Sequence, residues 1–329
     1  MTVEILRGDA LAVLRTLPAG TFQCAVTSPP YFGLRSYLPA GHPDKAREIG
    51  AEETPEAYVA RLVEVFREVR RALRPDGVLW LNLGDTYAMN TRGRGGPSRS
   101  GAFHGTSAPD GKTVPGQALA QRRAAIPTGC KPKDLLLVPA RVALALQADG
   151  WWLRSETVWA KPNPMPEPTK DRPTSAHEKL FLLAKSPRYF FDAGSIAEQC
   201  ADPSRAGRMD GGMHRGAASV TLRHGVGRRF LRSTHRNARN VQHWTPRPYR
   251  GAHFAVMPPD MAAWCIRCAS APGDAVLDPF GGAGTTAFAA VRLGRRATSI
   301  DLDAGANALA AERLGLFAPP APSPEAVAA

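Results

Sequence analysis

Two spacings of apolar residues alternate along this chain. Short runs, nearly all apolar at 78–83, 179–184 and 275–277 and more mixed at 3–7, 22–27, 152–159 and 297–300, predict strands. Between them lie longer stretches whose apolar residues recur every three or four positions, which predicts helices. These cover 10 to about 17, 54–73, 134–147, 259–269, 284–292 and 305–314. The second helix carries its own start signal: Thr54 as N-cap, Pro55 at the first helical position and the early acid Glu56. Tyr58, Leu62, Val65, Phe66, Val69 and Leu73 form its predicted buried stripe, and Pro75-Asp76-Gly77 is the predicted stop. Asp134 is the predicted cap of the third helix, which Gly150 closes.

The run at 78–83 is apolar but for Asn82 near its end, as expected of a strand covered on both faces. The stretch Lys161-Pro162-Asn163-Pro164-Met165-Pro166-Glu167 is too rich in proline for regular structure and is expected to be a loop at the site. Strand–helix alternation predicts a doubly wound α/β sheet, whose ligands bind beyond the carboxyl ends of the strands. Three polar segments fall on that edge: Ser28 to Tyr31, Asn82 to Tyr87, and the turn after Leu277.

Composition then narrows the class. The chain has 329 residues, enough for one large α/β domain or two modest ones. Its five cysteines are odd in number and scattered, which fits a reducing compartment. Cys265 and Cys268 form a single CxxC inside the apolar helical run Met261 to Cys268, so they are expected in the core and no metal site is expected. The N-terminus lacks a signal-peptide pattern, and no apolar run is long enough to span a bilayer. A soluble cytoplasmic protein, nucleoid-associated and with no membrane partner, is the expectation.

The net charge of +13 is uneven. Residues 88–133 hold eight Lys/Arg against one acid, a net +7, and residues 200–252 hold eleven Arg against two acids, a net +9. The rest of the chain therefore carries −3. Two Gly-, Ser- and Pro-rich segments hold the whole excess, which suits the gripping of a polyanion. In the second, Phe230, Trp244 and Tyr249 interleave with the arginines, as in surfaces that stack nucleic-acid bases.

The chemistry concentrates in two motifs about 250 residues apart. Thr27-Ser28-Pro29-Pro30-Tyr31 is a rigid polar hook ending in an aromatic ring. Asp278-Pro279-Phe280-Gly281-Gly282-Ala283-Gly284-Thr285-Thr286 is a strand end running into a glycine-rich turn and a helix start. No G-x-x-x-x-G-K-[ST] occurs, and Gly-Gly-Ala-Gly-Thr-Thr is not a dinucleotide fingerprint.

Together and in this order, the two motifs resemble those of the β group of DNA amino-methyltransferases. The resemblance covers about 1–87, 134–192 and 253–314. It implies a permuted Rossmann-like fold with a mostly parallel sheet, S-adenosylmethionine as cofactor and double-stranded DNA as partner. Asp278, Phe280, Gly281, Gly282, Gly284, Thr285 and Thr286 are then expected around the methionine part of the cofactor. Asp301 is expected on the ribose hydroxyls, although the family more often has Glu there, and Asp9 near the adenine amine. The segment 253–258 resembles the part of the family that closes over the methionine end.

Ser28, Pro29, Pro30 and Tyr31 are the expected catalytic residues. An exocyclic amine is a poor nucleophile, because its lone pair is delocalised into the ring. The Ser28 hydroxyl and the Pro29 carbonyl are suited to accept its two N–H bonds and draw the nitrogen toward tetrahedral geometry, with Tyr31 offering a face to an extruded base. Lys161 and Asn163 are expected near the DNA or the flipped base, and His177-Glu178 as a brace for the active-site loops. The longer string from Thr27 to Tyr37 is similar to members that modify N4 of cytosine, whereas adenine-N6 members more often have Asp or Asn at the position of Ser28. A cytosine-C5 enzyme is disfavoured, since no Pro-Cys dipeptide is present.

The implied organisation is a catalytic half at 1–192, including the basic insertion 88–133, and a target-recognition region at 193–252. A cofactor-binding half at 253–316 and a disordered tail at 317–329 complete it. A monomer or homodimer with a cognate restriction endonuclease is expected. The alternatives are an N6-adenine enzyme of the same group, an RNA base methyltransferase, and a DNA-binding protein with an inactive methyltransferase core.

Overall fold

The computed structural model describes residues 2–34, 37–38, 41–88, 126–200, 235–246 and 257–315. Most of both basic segments lies outside these residues. So do Phe230, Tyr249, residues 253–256 and the 317–329 tail.

Ten strands are described: β1 (Val3–Arg7), β2 (Phe22–Thr27), β3 (Leu73–Leu83), β4 (Trp152–Ala160), β5 (His177–Ala184), β6 (Glu198–Gln199), β7 (His235–Arg236), β8 (Val241–His243), β9 (Ala275–Asp278) and β10 (Arg296–Asp301). Eight form one sheet in the order β1-β10-β9-β2-β3-β5-β4-β8, and β6 pairs with β7. Five of the seven neighbouring pairs are parallel; β5 runs antiparallel to both β3 and β4. The expected doubly wound, mostly parallel sheet is present.

Helices α1 (Ala10–Thr16), α2 (Pro55–Ala72) and α3 (Val138–Ala148) share one apolar cluster on one face of the sheet. Helices α4 (Pro259–Ala269) and α5 (Thr285–Arg292) share a second on the other. A last helix, α6 (Ala304–Gly315), packs on β1, β10 and α5. Cys265 and Cys268 lie fully buried in the second cluster, where burial pushes both thiols well above their ordinary range.

Most element boundaries follow from local chemistry. The Thr54 hydroxyl accepts from the Ala57 N–H at 3.1 Å, and Tyr58, Leu62, Val65, Phe66 and Val69 are buried as the spacing predicts. Two boundaries differ. Helix α2 stops at Ala72, because Leu73 is already extended, and Pro75-Asp76-Gly77 lies within β3. The β2–β3 register jumps there from Phe22↔Leu73 to Cys24↔Val78, so the extra residues bulge and the missing Pro75 N–H interrupts no ladder. Asp134 does not cap α3. The helix begins at Val138, whose N–H donates to Asp85 Oδ1 at 3.0 Å from the loop after β3.

The second basic segment is also corrected in part. Val241–His243 extends the main sheet beside β4. Trp244 faces the core instead of a nucleic acid: it is 9% exposed and packs edge-on against Trp264, while its carbonyl accepts from Trp159 Nε1 at 2.7 Å. Arg236 and Arg239 pair with Glu198. Burial pushes that carboxyl upward, but bonds from the Arg239 N–H, Gln242 and the Arg239 guanidinium outweigh it and hold the group at about 2. These two cations therefore serve the fold as well as the field.

Candidate active site

Strand order fixes where a ligand can bind. From β9 the chain moves to β10 on one side, and from β2 to β3 on the other, yet β9 and β2 are neighbours. That is a topological switch point, with a crevice beyond the carboxyl ends of the two strands. The two motifs sit there. Thr27, at the end of β2, donates its hydroxyl to Asp278 Oδ1 at the end of β9 over 2.6 Å, joining residues 251 apart in sequence. Thr286 Oγ1 adds a bond to the Val26 carbonyl at 3.1 Å.

One cavity is lined from both halves. Ser28 and Pro30 contribute from the first motif, Pro279, Phe280 and Gly282 from the second, and Asp9 and Asp301 from the ends of β1 and β10. The segment around Tyr37, Leu38 and Glu48 closes one side. The buried Glu48 carboxylate holds that side together, accepting from the Tyr37 N–H, the Leu38 N–H and Lys45 Nζ. Four carboxylates (Asp9, Glu48, Asp301, Asp303) and one cation, Arg47, line the cavity.

The expected cofactor residues divide into two groups. Asp9, Phe280, Gly282 and Asp301 face the cavity. Asp9 is at the same time the cap of α1, accepting from the Ala12 N–H at 3.0 Å. The Asp301 carboxylate accepts from the Gly282 N–H and the Asp303 N–H, both at 2.8 Å, which ties the glycine turn to the end of β10. Asp278, Gly281, Gly284, Thr285 and Thr286 stand behind that surface and shape it. Gly284 has φ +71° at the start of α5, where an added Cβ would lie 2.8 Å from the Ala310 Cβ.

Gly281 fits only because it has no side chain: an added Cβ would lie 1.9 Å from the buried Ser299 Oγ. Gly281→Ala is expected to destabilise the protein by about 1–3 kcal/mol through overpacking. Adding Ser299→Ala removes the obstructing oxygen and is expected to recover most of that loss. Thermal melts of the single and double variants check this, and a double variant no better than the single contradicts the packing.

Asp278 carries a further consequence. Its carboxyl is raised from 3.8 to about 6, chiefly by burial, against the bonds from Thr27, Thr286 and the Phe280 N–H. A raised acid binds its proton more tightly when folded, so its contribution is fully present below about pH 4 and is lost as pH rises through about 6. The loss amounts to about 3 kcal/mol. Asp278→Asn is expected to remove this dependence, leaving the variant relatively more stable at pH 7 than at pH 4.5 when melting temperatures are compared with the wild type. A constant difference between the two proteins across that range contradicts it.

The hook at 28–31 rests on side chains that lie far away in sequence. Pro30 donates nothing but offers its carbonyl to the Tyr58 hydroxyl at 2.9 Å. Among the described residues none donates to the Pro29 carbonyl. The partly buried Tyr31 is approached so closely by Gly84 that a Cβ there would lie 2.5 Å from its ring. Tyr31 Oη lies 3.2 Å from Ser28 Oγ, 3.0 Å from Asn82 Oδ1 and 2.5 Å from Glu178 Oε2. Burial and the adjacent Glu178 push its phenol well above the usual range, so it stays protonated.

Asn82 Nδ2 donates to Glu178 at 3.2 Å, and Lys161 pairs with the other Glu178 oxygen. Of the expected brace His177-Glu178, Glu178 meets the loop while His177 is exposed at the start of β5, and Lys161, expected near the DNA or the flipped base, pairs with Glu178. Asn82 is an addition. Its segment falls on the edge expected to bind ligands, but its place in the cluster depends on β3 lying between β2, whose following loop carries Ser28 and Tyr31, and the antiparallel β5, which carries Glu178.

Comparison with known proteins follows the same lines. Residues 22–312 match a family model described as DNA methylase, of the N6/N4 methyltransferases. The type II methyltransferase M.XycI of Xanthomonas campestris pv. cyanopsidis is 41% identical over 310 residues, spanning 94% of this chain and 87% of that protein. M.SmaI of Serratia marcescens is 40% identical over 311 residues, spanning 94% and 90%. Among solved structures, the cytosine-N4-specific PvuII DNA methyltransferase matches with a TM-score of 0.61 at 18% identity, over 100% of this chain and 90% of that one. A putative DNA modification methylase of Thermus thermophilus, solved with S-adenosyl-L-methionine, matches with a TM-score of 0.55 at 23% identity, over 97% and 96%. At such identities these two speak for the fold.

Proposed function

This chain belongs to the N6/N4 DNA methylase family, and from that premise we propose that it moves a methyl group from S-adenosylmethionine to N4 of a cytosine flipped out of duplex DNA. One observation carries the reading. The hydrogen bond from Thr27 to Asp278 fastens the base-holding motif to the glycine turn at the rim of a cavity that both line.

The cavity suits this cofactor. S-adenosylmethionine supplies an activated methyl group on a positively charged sulfonium, and a cation is favoured where Asp9, Asp301 and Asp303 line the cavity with one arginine, the fourth carboxylate, Glu48, being paired with Lys45. A dinucleotide would bring two phosphates into the same acidic space. Asp301 stands where it can accept from ribose hydroxyls, and Phe280, Pro279, Ile49 and Ala306 supply apolar surface for the adenine ring.

Ser28 Oγ and the Pro29 carbonyl hold the amine of the flipped base by its two N–H bonds. The Pro-Pro backbone keeps that carbonyl in place, since it has no N–H groups to enter a ladder. The string Thr27 to Tyr37 resembles family members that modify N4 of cytosine, and Ser28 stands where adenine members more often have Asp or Asn, so the resemblance favours cytosine. The arginine-rich segments offset the cost of extruding the base, a few kcal/mol. The relatives are type II methyltransferases, so we infer a companion restriction endonuclease that reads the same site.

The test is chemical. Plasmid DNA treated with the protein and S-adenosylmethionine is digested to nucleosides and analysed by mass spectrometry, beside duplex RNA. N4-methylcytosine from DNA is the expected product. N6-methyladenine moves the assignment to adenine, methylation of RNA alone moves the substrate, and no methylated nucleoside overturns the activity.

A further inference from the structure

The cluster beneath the hook does more than hold it. We propose that Ser28, Tyr31 and Glu178 form a proton relay that carries the proton released by the methylated amine away from the base. This rests on the reading of Ser28 as the group that meets the amine.

The geometry is a connected line. Ser28 Oγ donates to Tyr31 Oη at 3.2 Å, and Tyr31 Oη donates to Glu178 Oε2 at 2.5 Å. The Tyr31–Glu178 contact is among the shortest of the cluster, and Tyr31 has one proton to give. Asn82 Nδ2 donates to the same Glu178 oxygen at 3.2 Å and to the Lys179 carbonyl at 3.1 Å, which fixes the carboxylate's orientation. Lys161 Nζ pairs with Oε1 and lies over the Trp159 ring, 4.8 Å from its centroid. The members come from four parts of the sheet edge: Ser28 and Tyr31 from the loop after β2, Asn82 from the end of β3, Lys161 from just after β4 and Glu178 from the start of β5.

The reaction creates the need. As the N–C bond forms, the C–S bond of the donor breaks and its electron pair stays on sulfur, leaving the nitrogen positively charged with two protons. One passes to Ser28 Oγ, whose own proton moves to Tyr31 Oη, and the phenol proton moves to Glu178. Ser28 and Tyr31 end as neutral hydroxyls and the carboxylate ends as a carboxylic acid, which returns the proton to water between turnovers. Tyr31 never carries charge, in keeping with a phenol held well above its usual range. Glu178 acts through Tyr31 and is a positioning and proton-accepting residue that never touches the base.

A brace and a relay differ in what glutamine can replace. Glu178→Gln keeps the size and an acceptor for Tyr31 but takes up no proton at neutral pH. The relay predicts that Glu178→Gln lowers the single-turnover rate of methyl transfer by about 10²-fold, with the dissociation constants for cofactor and DNA within about threefold of the wild type. Tyr31→Phe breaks the same line while keeping the ring, and is expected to lose about as much. Because the two act as one unit, the double variant is expected within about threefold of the slower single.

A Glu178→Gln enzyme within about threefold of the wild type, or two losses that multiply in the double variant, would overturn the relay. If Glu178→Gln loses cofactor affinity as well, Tyr31→Phe alone decides by the same rate. Ser28→Ala in the same assay separates this from the wider reading: full activity there removes the active-site assignment itself, whichever way Glu178 behaves.

Discussion

Ser28→Ala is expected to slow single-turnover methyl transfer by about 10²–10³-fold while the dissociation constant for S-adenosylmethionine moves by less than about threefold. Ser28 lines the cavity at the seam between the two halves, and its hydroxyl is held by Tyr31 Oη at 3.2 Å and Asn82 Oδ1 at 3.3 Å. Those two partners aim the oxygen before any base arrives, so little reorganisation accompanies the reaction. Alanine removes the acceptor for one amine N–H and leaves the Pro29 carbonyl as the other. The nitrogen then stays closer to planar and its lone pair stays in the ring. Asp301 and the glycine turn, which we propose hold the cofactor, are left in place, so cofactor affinity is expected to survive. Rapid-quench turnover beside isothermal titration separates the two effects. A rate within about threefold of the wild type would remove Ser28 from the chemistry.

Asp301→Ala should produce the opposite pattern: a rise of about 10²-fold in the cofactor dissociation constant, with the turnover of saturated enzyme changed by less than about threefold. The magnitude follows from two charge-assisted hydrogen bonds to ribose hydroxyls, each contributing about 1.5–3 kcal/mol, part of it recovered by water in the variant. Asp301 also anchors the Gly282 and Asp303 N–H groups at 2.8 Å, so some of the loss comes through the turn. Asp301→Asn keeps one acceptor and is expected to fall between the two. Titration of the three proteins checks the order, and an Asp301→Ala enzyme with unchanged affinity takes the role away.

The places of these two residues at the cavity were legible for different reasons. Ser28 follows the apolar strand β2 and stands beside a proline pair whose backbone demands are unusual, whereas Asp301 was reached through the resemblance, as the carboxylate one strand after the glycine turn. Proline pairs and glycine turns announce themselves locally. So do helix caps such as Thr54, which act within three residues. What stayed hidden depends on contacts between distant segments. Asp85 caps a helix that begins 53 residues later, which no local spacing reveals. Pro75 reads as a helix stop until the β2–β3 register shows a bulge that tolerates it.

Trp244 sits among arginines in the sequence and against Trp264 in the fold. Neighbours along the chain suggested a nucleic-acid surface, whereas helix α4 supplied a core partner. The sequence places Asn82 on the ligand-binding edge, but its partners Ser28, Tyr31 and Glu178 come from the loop after β2 and from β5, on either side of β3, a pairing that no local spacing reveals.

A crystal structure of the protein with S-adenosylhomocysteine decides whether the two motifs form one site. The ligand is expected in the cavity between them, its ribose hydroxyls on Asp301, its adenine against Phe280 and its sulfur turned toward Ser28. A ligand bound away from the Thr27–Asp278 junction, or one whose sulfur points away from Ser28, would contradict it.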